Sequence, residues 1–159
     1  MTILEGISFG NHYFEVAIML RNSLLVSSML CNSGAWYNVT AAEMNLLETV
    51  DLQLLRAILR APKSTPKEML FLELGCIPFS EIMRQRRLSF LHYILHESPE
   101  SMIFKFFQTQ YKNRTSKDWV TTILNDLEEV KLGVTIDEIH KMKRSKYKQR
   151  TEGSSRMSR

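Results

Sequence analysis

Thr40 to Leu59 reads TAAEMNLLETVDLQLLRAIL, and this stretch decides the fold class. Thr40 and Glu43 stand at the capping-box spacing, at which a hydroxyl and a carboxylate each satisfy a free amide at a helix start. Leu47, Val50, Leu54 and Ile58 then step by three or four residues, the spacing of one apolar helix face. The same signals recur along the chain. Thr65-Pro66-Lys67-Glu68 and Thr135-Ile136-Asp137-Glu138 are further capping boxes, the first with proline at the opening helical position, where its missing N–H costs nothing. Ser98-Pro99-Glu100 predicts another start. Gly75 predicts a stop, because glycine accepts the left-handed backbone that a helix end favours.

Val120, Ile123, Leu124, Leu127 and Val130 repeat the helical step, and no stretch shows the strict alternation of a half-buried strand. Helices are predicted over 11–31, 41–60, 66–74, 79–97, 99–112, 117–131 and 136–149, giving an all-α fold, a compact array of about seven helices. Helix 11–31 is apolar nearly all round beyond Arg21, which predicts a central helix packed by several neighbours. Neither turn Ala61–Thr65 nor the polar, basic Lys112–Ser116 is long enough to link independent domains. The expected layout is an N-terminal tail over 1–10, one helical region over 11–140 and a partly disordered basic tail over 141–159.

At 159 residues, with 44% hydrophobic and 24% charged, the chain can bury a sizeable core without disulfides or metal. Six glycines and four prolines exclude collagenous and wholly disordered classes. Cys31 and Cys76 are too few for a stapled secreted scaffold or a four-ligand zinc site, so a reduced, intracellular chain is expected, nuclear or cytoplasmic. Asn22 to Ala42 carries no charge, but serines, asparagines and a glycine interrupt it well short of the roughly 20 apolar residues of a membrane span. The start MTILEGISFG lacks the basic head and apolar run of a signal peptide. No membrane association is expected.

The net charge of +4 divides unevenly: residues 141–159 carry +7 and residues 1–140 carry −3. Lys141, Lys143 and Arg144 open this basic tail, which would give a polyanion salt-dependent, sequence-independent affinity. On helix 79–97, Arg84 and Arg87 project into the same arc as Leu88, Leu91 and Leu95. Two roles fit that placement. One arginine could pair with a carboxylate such as Glu68 or Glu73 on the preceding helix, or the two guanidiniums could hold backbone phosphates at a seam.

Other groupings favour structural roles. His92 and His96 have metal-sharing spacing, but Tyr93 stands where a metalloprotease carries glutamate and no third ligand is indicated. Cys31 in an apolar helix end and Cys76 after a capping glycine suit packing better than nucleophilic chemistry. Asp51, Asp118, Asp126 and Asp137 are scattered, without the adjacent pair that two-metal chemistry would use. Trp36, Tyr37, Phe104, Phe106, Phe107, Tyr111 and Trp119 could stack on bases, while helical spacing assigns Phe106 and Phe107 to the core. No cofactor is implied.

Several stretches carry a family resemblance: Leu20–Leu30, the Trp36–Thr40 turn, Glu48–Leu59, Ser64-Thr65-Pro66, Leu72-Glu73-Leu74-Gly75 with Pro78, and Arg86–Leu95. Together, over residues 9–140, the chain resembles the helical thumb-side region that follows the catalytic palm in reverse transcriptases of non-LTR retrotransposons. That resemblance implies a non-catalytic fragment, because the family's polymerase aspartates belong to a palm strand that would precede Met1. It also implies that helices grip an RNA–DNA or RNA duplex backbone, with Arg84, Arg86, Arg87, Lys63 and Lys67 as phosphate contacts. The pattern dissolves after Lys148 into TEGSSRMSR, which implies truncation or a changed reading frame. Two other roles stand beside this one: a helical protein-interaction module that uses exposed apolar helix faces for a protein partner or self-association, and an expressed retroelement remnant with no selected function.

Overall fold

The computed structural model describes residues 12–130, 136–143, 145–147 and 149. Among them the chain is all-α: α1 (Tyr13–Leu20), α2 (Ser27–Met29), α3 (Ala41–Leu59), α4 (Lys67–Glu73), α5 (Phe79–Leu95), α6 (Met102–Lys112), α7 (Trp119–Glu129) and α8 (Ile136–Lys141), with no strand. A π-helical stretch, Arg21–Val26, joins α1 to α2, and Ser33–Ala35 forms a 3₁₀ turn. The helix predicted over 136–149 stops at Lys141, with a separate helical turn at 145–147. Thr135, the first residue of one predicted capping box, and the end of the basic tail lie outside the described residues. The chain forms two compact units, Met1–Cys31 with Ala41–Ser80, and Asn32–Thr40 with Glu81–Arg159.

In the first unit, Ala17, Leu55, Ile58, Leu70, Phe71 and Cys76 form the buried core. The face of α3 is rotated from the predicted one. Val50 is 41% exposed, and the inward positions are Asp51, Leu55 and Ile58. A carboxylate occupies the buried slot because Arg21 meets it: Nε to Oδ1 at 2.6 Å and Nη2 to Oδ2 at 2.5 Å. The guanidinium also donates to the Ile77 carbonyl at 3.1 Å and lies 5.5 Å from the Phe79 ring centroid. Both side chains are almost wholly excluded from water.

The expectation of a central helix over 11–31 does not hold. Ala17, Arg21, Val26 and Leu30 point inward, whereas Phe14, Met19 and Leu24 are 49%, 60% and 64% exposed. The helix also widens. Ser23 and Ser28 hydroxyls donate to the carbonyls of Met19 at 2.8 Å and Leu24 at 2.6 Å, and Ser27 bonds back to Ser23. Such back-bonding competes with the backbone ladder and loosens it, which fits the π-helical path from Arg21 to Val26.

Helix ends show which capping signals are used. Gly75, at φ 61°, closes α4 as predicted: the Cys76 amide reaches the Phe71 carbonyl at 2.9 Å and the Gly75 amide reaches Leu72 at 3.2 Å. α3 ends in the same motif without a glycine. Arg60 takes φ 51°, with Ala61 N to Arg56 O at 2.9 Å. The box predicted at Thr65–Glu68 is not made, because Pro66 is itself the N-cap residue, in extended backbone and with no side-chain cap. The start predicted at Ser98 is also displaced. Ser98 accepts from the Glu100 amide in a local turn, and Ser101 caps α6 by accepting from Phe104 N at 3.3 Å.

The second unit has a larger core of Leu88, Leu91, Ile94, Leu95, Phe107, Trp119, Val120, Ile123, Leu127, Val130, Ile139 and Tyr147. The predicted stripe on α7 is present, with Leu124 half-buried at its edge. The Trp119 indole donates to the Gly34 carbonyl at 2.9 Å. Gly34 is needed there, since a Cβ would stand 3.1 Å from the Arg86 carbonyl oxygen and 3.3 Å from Phe90 Cβ.

Removing one member of the Arg21–Asp51 pair leaves the other as an uncompensated buried charge. Arg21→Met or Asp51→Leu alone is expected to cost about 3 to 5 kcal/mol, and the double variant to recover most of that loss. Denaturant unfolding of the three variants checks this; equal loss in single and double variants contradicts it.

Candidate nucleic-acid interface

Two of the α5 arginines, Arg84 and Arg87, are held by carboxylates. Arg87 makes a two-point pair with Asp126 on α7, Nε to Oδ2 at 2.6 Å and Nη2 to Oδ1 at 2.8 Å, with both side chains nearly buried. Arg84 bonds Glu81 at 2.7 Å, pairs with Glu129 and approaches Asp126 at 3.8 Å. Burial pushes the Asp126 carboxyl up, against the pull of the Arg87 and Arg84 guanidiniums. The carboxylates that engage these arginines are on α5 itself and α7, and Glu68 and Glu73 of α4 are exposed in the first unit. Arg86 is half-buried and its Nη1 reaches the Ser33 hydroxyl at 3.4 Å.

The lysines are differently placed. Lys63 and Lys67 are exposed in the first unit, one in the turn before α4 and one at its first residue. Lys141 and Lys143 are exposed in the second unit, where they line an open cleft of about 470 Å³ with Ser89, His92, Tyr93 and His96. Arg144 lies outside the described residues.

Imidazoles build the wall of this cleft. His92 and His96 stack at 4.1 Å between centroids, and His140 on α8 stacks on His96 at 5.4 Å. His92 is buried, and its Nε2 meets the Met142 carbonyl at 3.1 Å. His96 is exposed, and its Nδ1 meets the His92 carbonyl at 2.8 Å. A carbonyl only accepts, so Nδ1 of neutral His96 carries the hydrogen and Nε2 is its basic nitrogen. Below the cleft, Tyr147 tilts against His92 at 4.9 Å and its hydroxyl donates to the Leu88 carbonyl at 3.1 Å. Burial, with the Asp126 carboxylate adding to it, pushes the Tyr147 phenol well up. The pair His92/His96 was visible as a spacing in the sequence; His140 and Tyr147 gave no comparable signal, because only the return of the chain along α8 brings them there.

Among the described residues, no group of three His, Cys, Asp or Glu side chains is placed to hold a metal ion. Asp51 and Asp126 take guanidiniums, and Asp118 caps α7. Cys76 is buried, which pushes its thiol up and away from reactivity, while Cys31 is exposed, not packed as expected. Phe107 and Trp119 are core residues, but Phe106 is 62% exposed, contrary to its assignment to the core. Its neighbour Phe107 is buried, with Phe104 half-buried against the same core. Tyr111 stacks on Phe107 at 6.0 Å, and Arg114 lies 5.0 Å from the centre of the Tyr111 ring.

Comparison with protein-family models, with curated proteins and with solved structures gives no match. No helix among the described residues is long and apolar enough to cross a membrane.

Asp118 sets the entry to α7. Burial disfavours its charge, yet the Thr115 and Thr121 amides, at 2.6 and 2.7 Å, and the hydroxyls of the same residues hold its carboxyl below the ordinary range. A depressed folded value makes this a contribution present above about pH 4 and lost as pH falls through that lower value. Asp118→Ala is expected to lower stability at neutral pH by about 1 kcal/mol and to reduce the acid sensitivity of unfolding. Melting curves recorded from neutral to acid pH check this; an unchanged acid limb contradicts it.

Proposed function

We propose that the chain is a non-catalytic helical module that binds the phosphate backbone of nucleic acid with little sequence preference. The observation that carries this reading is the cationic cleft of the second unit. Lys141 and Lys143 stand exposed on it, without an ion-pair partner among the described residues, and residues 141–159 carry +7 in total. Ammonium groups of this kind neutralise phosphates and release counterions, which yields affinity without base readout. The engagement of Arg84 and Arg87 by carboxylates moves the proposed contacts away from α5 and onto the lysines. The reading agrees with the resemblance to thumb-side helices of non-LTR reverse transcriptases and with an RNA–DNA duplex as ligand. An intracellular setting follows from such a ligand. The engagement of Asp51, Asp118 and Asp126 in pairs and a cap supports the non-catalytic part of the reading.

A second reading, a protein-interaction module, is favoured by one feature of α6, where Met102 and Phe106 are 85% and 62% exposed at helical spacing. Purification with a stoichiometric protein and no nucleic acid would favour it.

The test is affinity for a primer–template duplex over a salt series. Binding is expected to weaken by at least tenfold between about 50 and 200 mM salt, and Lys141→Gln with Lys143→Gln to reduce the log–log slope by roughly two. A flat salt response contradicts the proposal.

A further inference from the structure

We propose that binding of a phosphodiester backbone at this cleft is coupled to uptake of a proton at Nε2 of His96. The inference deepens the nucleic-acid reading and rests on it. His96 is the exposed member of the stack, and its Nδ1–H is committed to the His92 carbonyl, so a proton arriving from solvent goes to Nε2. The His96 ring then carries a second donor in a cleft that it lines together with Lys141, Lys143 and Ser89.

The groups around His96 include two ammonium groups and two imidazoles. On α5 these are His92, Tyr93 and Glu97; from α8 and the residues after it come His140, Lys141, Lys143 and, behind His92, Tyr147. Lys112 of α6 lines the neighbouring cleft on which His140 also lies. Glu97 is the one carboxylate among the described residues on the wall of the His96 cleft, and it accepts the Tyr93 hydroxyl, which pushes that phenol up. A further positive charge therefore meets two ammonium groups and two stacked imidazoles. A phosphate oxygen removes that repulsion, so anion and proton each favour the binding of the other by the same factor. Lysine charge and the phosphodiester do not change between mildly acid and mildly alkaline pH, whereas imidazole does. A pH slope in that interval that disappears in His96→Gln thus reports this imidazole.

The experiment measures the affinity of the full chain for a labelled RNA–DNA primer–template at constant ionic strength, at about pH 5.5, 6.5 and 8. Wild type is expected to bind roughly tenfold more tightly at the acid end, the gain of one charge-assisted hydrogen bond. His96→Gln is expected to lose that slope, and His96→Lys, which carries a fixed charge, to bind without a slope and more tightly than His96→Gln at the alkaline end. Thermal melting of both variants establishes that they are folded. Wild-type binding that is independent of pH, or a slope retained in folded His96→Gln, overturns the coupling while leaving the nucleic-acid reading intact. An acidic peptide of equal charge that binds as tightly and with the same slope overturns the assignment to a phosphodiester. Absence of binding at every pH removes the nucleic-acid reading and the coupling together.

Discussion

The two-point ion pair between Arg87 on α5 and Asp126 on α7 governs the second unit and, through it, the functional reading. Two nearly buried charges at hydrogen-bond distance are tolerable only as a pair, because each alone would bear its full desolvation cost. The pair fixes the register of α7 against α5, so that Val120, Ile123 and Leu127 meet the Leu88 and Leu91 side of the core. Arg84 extends the same network to Glu81 and Glu129. Guanidiniums on a helix invite a phosphate-binding interpretation, but here Arg87 takes Asp126 at two points and the Nη groups of Arg84 take Glu81 and Glu129.

What remains for an external anion is lysine and histidine. Lysine is a mobile, strongly hydrated charge that suits loose backbone contact and carries little geometric specificity. The stack of His92, His96 and His140 adds ring nitrogens beside those ammonium groups. The first unit repeats the internal pairing with Arg21 and Asp51, so in both units an arginine that looks available in the sequence is a structural group.

The helices were legible because apolar period and cap chemistry agreed over most of the chain. Gly75 marks its stop without ambiguity, since a left-handed backbone there needs no compensation. The stripe Val120, Ile123, Leu127 and Val130 is buried as its spacing predicts. Less legible were features set by a distant partner. Asp51 looks like an exposed carboxylate until Arg21, thirty positions earlier, is folded against it. Arg60 in a left-handed turn has no local signature, because the following chain imposes it. Proline and serine signals at Pro66 and Ser98 marked the right regions but not the cap residue, as several small polar residues compete for that position. Serine back-bonding along Ser23, Ser27 and Ser28 could have warned that the first helix departs from α geometry. Of the candidate site, the basic run that Lys141 and Lys143 open is legible in the sequence, whereas the fates of Arg84 and Arg87 hinge on α7.

Arg84 and Arg87 belong to the fold and not to a ligand. A double-mutant cycle in denaturant unfolding, with Arg87→Met, Asp126→Leu and the combination, tests it most directly. A coupling energy of about 2 kcal/mol or more is predicted, with the double variant more stable than the sum of single losses allows. A coupling within about 0.5 kcal/mol of zero would contradict the account and return Arg87 to the surface that meets a phosphate.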